Sequence, residues 1–201
     1  MSWIVHHGDC LEILPTLGKV DAVVTDPPYG IGFAAQPTNC QRRAGKLPEA
    51  WDDSAPDVGW LVDLAPAVCV WGGNYFTLPT SRGWLAWIKP DAPPSMGTVE
   101  LAWTNRDANA AHLSVSISET NPERVGHPTQ KPLRLMRWCI RKLKLAPGST
   151  ILDPFCGSGS TGVSALQEGM NFIGIERELK YVEIARRRIA AEAAQGKLEF
   201  T

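Results

Sequence analysis

Apolar residues in this chain fall into short runs separated by polar stretches bearing glycine and proline, and the runs change period along the sequence. Trp3 to His7 has a strand pattern that ends at Gly8-Asp9. Leu11, Leu14 and Leu17 then recur at helical spacing, which predicts a short amphipathic helix over Cys10 to Leu17. Val20 to Thr25, with Ala22, Val23 and Val24 in succession, is typical of a strand covered on both faces. Residues 30–58 lose periodicity and gain Gly, Pro, Asn and Arg, which predicts a long, flexible loop of the kind that usually carries function. Trp60 to Leu64 predicts a helix, and Ala67 to Trp71, Trp84 to Lys89, Val99 to Trp103 and Leu113 to Ile117 predict strands.

The last third is patterned more strongly. Pro132 to Leu145 opens on proline, places Leu133, Met136, Ile140 and Leu143 on one face, and closes at Pro147-Gly148, which predicts a helix. Thr150 to Asp153 and Asn171 to Ile175 predict strands, Ser160 to Glu168 a helix stopped by Gly169, and Leu179 to about Ala194 a charged amphipathic helix. Strands alternating with helices point to an α/β fold with a mostly parallel sheet and helices on both faces.

Composition narrows the class without choosing a function. The 201 residues, 44% hydrophobic and 20% charged, are expected to form one domain, 1–201. No apolar run approaches the ~20 residues that cross a bilayer, so no membrane association is expected. Five cysteines, without a Cys-x-x-Cys pair or metal-ligand spacing, are expected to be reduced thiols of a cytoplasmic protein. The net charge of −1 argues against non-specific nucleic-acid binding, which draws on phosphate neutralisation. Local charge differs: Arg42, Arg43 and Lys46 form a basic stretch in the long loop, and Arg134, Arg137, Arg141, Lys142 and Lys144 a second, expected to be a solvated helix face.

Two constellations carry chemistry. Thr150 to Ser160 is a strand running into Asp153-Pro154-Phe155-Cys156-Gly157-Ser158-Gly159 and then a helix containing Thr161. Glycines at such a junction let backbone approach a ligand, and Glu176, ending the next strand, can accept hydrogen bonds from ribose hydroxyls. The pattern suits an adenosyl cofactor. The second constellation is Asp26-Pro27-Pro28-Tyr29, directly after an apolar strand. A carboxylate and a proline carbonyl held rigidly can accept the hydrogens of an exocyclic amine, and the tyrosine ring can stack on a flat base extruded from a duplex.

The ordered set of Gly8-Asp9-Cys10, Asp26-Pro27-Pro28-Tyr29, His127-Pro-Thr-Gln-Lys-Pro132 and Asp153 to Gly159 resembles the amino-directed (N6-adenine or N4-cytosine) DNA methyltransferases, in the group whose catalytic motif precedes the cofactor motif. Trp51-Asp52-Asp53, Val70 to Phe76 and Glu100 to Trp103 match further family stretches. The resemblance implies a Rossmann-like methyltransferase fold of permuted motif order, S-adenosyl-L-methionine as cofactor and DNA as partner. It implies catalytic roles for Asp26, Pro27, Pro28 and Tyr29, and cofactor binding by Asp9, Cys10, Asp26, Thr129, Lys131, Asp153, Pro154, Phe155, Cys156, Gly157, Ser158, Gly159, Thr161 and Glu176. Asp9 would meet the cofactor adenine, and Thr129 and Lys131 its methionine end. Arg42, Arg43 and Lys46 would contact DNA from the 30–58 loop.

Adenine N6 is the expected target, because this group more often pairs Asp-Pro-Pro-Tyr with adenine and Ser-Pro-Pro-Tyr with N4-cytosine. The alternatives are N4-cytosine methylation, methylation of RNA or a protein amide, and a non-catalytic cofactor-binding subunit. The segment left for target recognition, 104–126, is minimal, which is consistent with relaxed specificity or with recognition shared across a homodimer. His127 is expected to be a structural hydrogen-bonder, and Asn74 and Tyr75 are further candidates to reach the active site.

Overall fold

The computed structural model of the chain describes residues 1–32, 54–94, 96–120 and 130–198. Its strands are β1 (Trp3–His7), β2 (Ala22–Thr25), β3 (Ala67–Trp71), β4 (Leu85–Ile88), β5 (Val99–Thr104), β6 (Ala111–Ser114), β7 (Thr150–Asp153) and β8 (Asn171–Glu176). They form one sheet in the order β1-β8-β7-β2-β3-β5-β4-β6. Every neighbouring pair is parallel except the two made by β5, which runs against β3 and β4. The helices are α1 (Cys10–Ile13), α2 (Ile117–Thr120), α3 (Leu133–Leu143), α4 (Ser160–Gln167) and α5 (Leu179–Leu198).

The two sheet faces are covered differently. Leu135, Met136, Cys139 and Ile140 of α3, Val163 and Ala165 of α4, and Val182, Ala185 and Ile189 of α5 pack with Val24, Cys69, Trp71 and Phe172. On the other face Val23, Val68, Val70, Leu152 and Ile175 meet Ile13, Leu14, Leu17 and Leu61, from α1 and from the 3₁₀ turns at Leu14–Thr16 and Gly59–Asp63. Successive residues of β2 and β3 point to opposite faces, and both strands are buried along their whole length. That is why they read as apolar runs and not as alternation.

Three elements differ from the sequence expectation. The helix expected over Cys10 to Leu17 is α-helical only to Ile13 and tightens to 3₁₀ at Leu14–Thr16. Pro15 has no N–H to continue an α-helical ladder. Trp60 to Leu64 is likewise a 3₁₀ turn, Gly59–Asp63. The strand expected over Leu113 to Ile117 lies earlier, at Ala111–Ser114, in register with Leu85 to Ile88. Ile117 instead opens α2, where the Asp91 carboxylate accepts hydrogen bonds from the N–H groups of Ile117 (2.6 Å) and Ser118 (2.9 Å).

The chain leaves β2 toward β3 on one side and β7 toward β8 on the other, while β2 and β7 are themselves neighbours. Such a reversal opens a crevice at the carboxyl ends of the strands, where ligands bind in open α/β sheets. Asp26 follows β2 and Asp153 ends β7, on the two sides of it.

Candidate active site

Asp26 to Tyr29 turn sharply at the end of β2. The Tyr29 hydroxyl donates to Asp26 Oδ1 at 2.7 Å, tying the two ends of the turn together. The Tyr29 ring stacks on Tyr75 at 4.9 Å and 14°, and meets the edge of Phe76 at 6.3 Å. Both partners come from the segment after β3. Gly72 in that segment has φ +68°, and a Cβ there would intrude on the Tyr29 ring. The glycine is needed for its conformation and for the close approach.

Lys131 reaches the same turn from the stretch before α3. Its ammonium donates to Asp26 Oδ1 (2.9 Å) and Oδ2 (2.8 Å) and to the Tyr29 oxygen (3.0 Å), and lies 3.1 Å from Glu100 Oε2. Glu100 in β5 also pairs with Lys89, just beyond β4, at 2.7 Å. The Lys89 and Lys131 side chains are only 3% and 7% exposed. Burial alone would lower the Lys131 ammonium, but Asp26 and Glu100 reverse this and hold it well above its ordinary value. Burial pushes the Asp26 carboxyl up against the opposing pull of Lys131. Burial also raises Glu100, but the two lysines outweigh it and the net direction is down.

The glycine loop lies across the crevice. Asp153 is buried and accepts from the Thr25 hydroxyl (2.7 Å) and the Phe155 N–H (3.1 Å). Burial raises its pKa to about 6, against the lowering effect of these bonds and of Thr161. Thr25 precedes Asp26, so this bond joins β2, which leads into the Asp26 turn, to β7, which leads into the glycine loop. Gly157 and Gly159 have φ of +52° and +83°, and the Gly157 N–H donates to Glu176 Oε2 at 2.8 Å. Glu176 Oε1 accepts from the Glu178 N–H at 2.7 Å, and burial raises this carboxyl. Arg188 of α5 fixes the loop from behind, donating to the Ser158 carbonyl at 2.7 Å and lying 3.3 Å from Ser160 Oγ.

A single cavity of about 730 Å³ joins the two halves. Asp9, Cys10, Asp26, Pro27, Pro28, Tyr29, Lys131, Asp153, Pro154, Phe155, Cys156, Gly157, Ser158, Thr161 and Glu176 all line it, together with Lys89 and Glu100. Asp9 is exposed and its carboxylate caps α1 through the Leu11 N–H at 2.8 Å. Burial raises the Cys10 thiol to about 11. Gly159 acts in packing: a Cβ there would come within 2.9 Å of Ala185 Cβ in α5. Thr129, His127, the Trp51-Asp52-Asp53 stretch and the basic residues Arg42, Arg43 and Lys46 lie outside the described residues. Of the 104–126 segment, residues 104–120 are described, and among them Ile117 lines the cavity.

Sequence reasoning missed several residues here. Trp60 faces the cavity and its ring lies 6.4 Å from Phe155. Glu100 opened a stretch that matches the family but carried no assigned role, Lys89 was only the end of an expected strand, and Arg188 lay in a helix expected to be charged and amphipathic. Tyr75 does line the cavity, whereas Asn74 faces a separate shallow groove with Leu78 and Trp84.

Comparison with known proteins agrees with this arrangement. Residues 70–187, more than half of the chain, match the family model N6_N4_Mtase, described as DNA methylase. YubD of Escherichia coli (strain K12), a protein ascribed to the methylases, is 29% identical over 209 aligned positions, covering 92% of this chain and 88% of YubD. Two solved structures share the fold. The M1.HpyAVI–SAM complex has a TM-score of 0.61 and 23% identity, over 93% of this chain and 98% of that one. The PvuII cytosine-N4-specific DNA methyltransferase has a TM-score of 0.64 and 20% identity, over 94% and 86%.

Proposed function

Since the chain belongs to the N6_N4_Mtase family of DNA methylases, we propose that it transfers a methyl group from S-adenosyl-L-methionine to the N6 amine of adenine in DNA. The observation that carries the reading is the single cavity onto which both the Asp26-Pro27-Pro28-Tyr29 turn and the glycine loop open.

The residues present fit an adenosyl group. The wall has aromatic faces at Trp60 and Phe155, carboxylates at Asp9 and Glu176 suited to amine and hydroxyl donors, and a glycine loop whose backbone can approach closely. When bound, S-adenosyl-L-methionine would supply a sulfonium methyl for the amine nitrogen, with the carbon–sulfur bond pair left on the departing thioether and the displaced amine proton passed to solvent water. In this reading Asp9, Phe155, Gly157 and Glu176 hold the adenosyl half, and Thr129 and Lys131 stand toward the methionine end.

The chain's own residues prepare the amine. Asp26 and the Pro27 carbonyl accept its hydrogens, which turns the nitrogen lone pair out of conjugation with the ring. The two prolines keep these acceptors in place, so the work is orientation and electrostatics. Tyr29 offers its ring to the extruded base, which takes the place that the half-exposed Tyr75 occupies against it. Arg42, Arg43 and Lys46 contact the DNA backbone. Residues 1–201 act as one catalytic domain, with 104–126 as a small target-recognition segment.

Adenine is preferred for the aspartate at the first position of the turn. The test is incubation with isotopically methyl-labelled cofactor and unmethylated DNA, digestion to nucleosides, and identification of the labelled product by mass spectrometry. Labelled N6-methyladenine is the expected result. Labelled N4-methylcytosine would retain the machinery and overturn the base assignment. Cofactor binding with no labelled nucleoside would overturn the reading.

A further inference from the structure

We infer that Lys131, clamped between Asp26 and Glu100, is the positioning residue that fixes the Asp26 carboxylate and leaves one acceptor position, on Oδ2, for a hydrogen of the target amine. The inference deepens the proposed function and rests on it.

An ionised carboxylate offers about four acceptor sites. Among the described residues Asp26 accepts three hydrogen bonds: two on Oδ1, from Tyr29 and Lys131, and one on Oδ2, from Lys131. With respect to the described residues one site remains, on Oδ2, and Asp26 lines the cavity with 20% of its side chain exposed. One amine hydrogen can therefore go to Asp26 and the other must find a different acceptor, as the Pro27 carbonyl offers.

Lys131 is in turn held from behind. Asp26, Lys131, Glu100 and Lys89 form a row of alternating charges at 2.8, 3.1 and 2.7 Å, drawn from the turn after β2, the stretch before α3, β5 and the end of β4. The Lys131 ammonium also lies over the Trp71 ring (5.6 Å) and the Tyr29 ring (5.3 Å). The row sums to zero charge, so both carboxylates can stay ionised under cover. A covered ion-pair row of this kind is often no more stabilising than apolar packing of similar volume. Its position, with one end at the catalytic turn, gives it a use that stability does not.

The test follows the ionisation of Asp26 and the chemistry together. Among the described residues the groups facing Asp26 are Lys131, Tyr29 and Glu100, with Asp153 behind Thr25. The carboxyl of Asp26 is titrated by carbon-13 NMR, its signal assigned by its loss in Asp26→Asn, in the wild type, Lys131→Met, Lys131→Arg and Glu100→Gln. Single-turnover methyl transfer is measured across the same pH range. Lys131→Met is expected to move the Asp26 titration and the acid limb of the rate profile upward by about one unit or more. Because Lys131 also stands toward the methionine end, rates are compared at saturating cofactor, and Lys131→Arg should restore most of the shift. Glu100→Gln, which removes the competing anion, is expected to move both the opposite way, and it keeps the inference testable if Lys131→Met does not fold.

An unmoved Asp26 titration, or both variants shifting in one direction, would overturn the inference. A wild type that shows the expected titrations and transfers no methyl to DNA would overturn the functional reading instead.

Discussion

At Asp153 the ordinary ionisation of a carboxylate meets a site that covers it almost completely. Its pKa of about 6 lies above the unfolded value, so the folded chain takes up a proton as pH falls through the interval between about 4 and 6. The stability it contributes is therefore present at low pH and lost as pH rises through that interval. Asp153→Asn keeps an acceptor for Thr25 and Phe155 and removes the charge. Relative to wild type it should gain stability from pH 4.5 to 7.5, by of the order of 2 kcal/mol, read from denaturant unfolding at the two pH values. Gly72 is a second residue whose side chain, or lack of one, decides the site. Gly72→Ala puts a methyl into the Tyr29 ring at a positive φ. We expect a loss of roughly 1–3 kcal/mol in stability and a fall in methyl-transfer rate exceeding any fall in cofactor affinity. Unfolding curves, cofactor titration and single-turnover rates check this.

Among the elements, α5 does more than cover the sheet. Its Val182, Ala185 and Ile189 are core, while Arg188 on the same helix grips the glycine loop at Ser158 and Ser160. Helix and loop are thus one unit, and Arg188→Met should loosen the loop without unfolding the helix. Cofactor affinity is expected to fall about tenfold, the scale of a charged hydrogen bond, with little change in the unfolding midpoint. Equilibrium cofactor titration alongside thermal unfolding measures both. Where an element was misread from sequence, the cause lies outside the element itself. Asp91 caps α2 from 26 residues away, and β6 takes its register from β4. By contrast β3 and β7 have the ranges their apolar runs predict, because a run covered on both faces states its own environment.

For the whole molecule the net charge is −1, so any attraction to DNA must be local. If Arg42, Arg43 and Lys46 neutralise phosphates, replacing all three by alanine should weaken binding on every DNA sequence alike. It should also flatten the salt dependence, reducing the log–log slope by roughly 3. Fluorescence anisotropy with a duplex at several salt concentrations reads both. The sheet's reversal of direction between β2 and β7 brings the two motif halves to one cavity, although more than a hundred residues separate them. The Thr25–Asp153 bond closes that junction.

The sequence by itself determined the succession of strands and helices, the α/β class, and the two motif-bearing turns. Periodicity, glycine and proline act over a few residues, and a carboxylate beside two prolines after an apolar strand marks a candidate site locally. Only the tertiary structure decided that the Lys131 ammonium lies on Asp26, that Glu100 and Lys89 balance it, that Tyr75 covers Tyr29, and that Arg188 holds the glycine loop. Each of these contacts joins elements that strand order makes neighbours. A charged side chain reads the same in sequence whether its partner is water or another buried charge, and which one it meets is settled when the sheet is assembled.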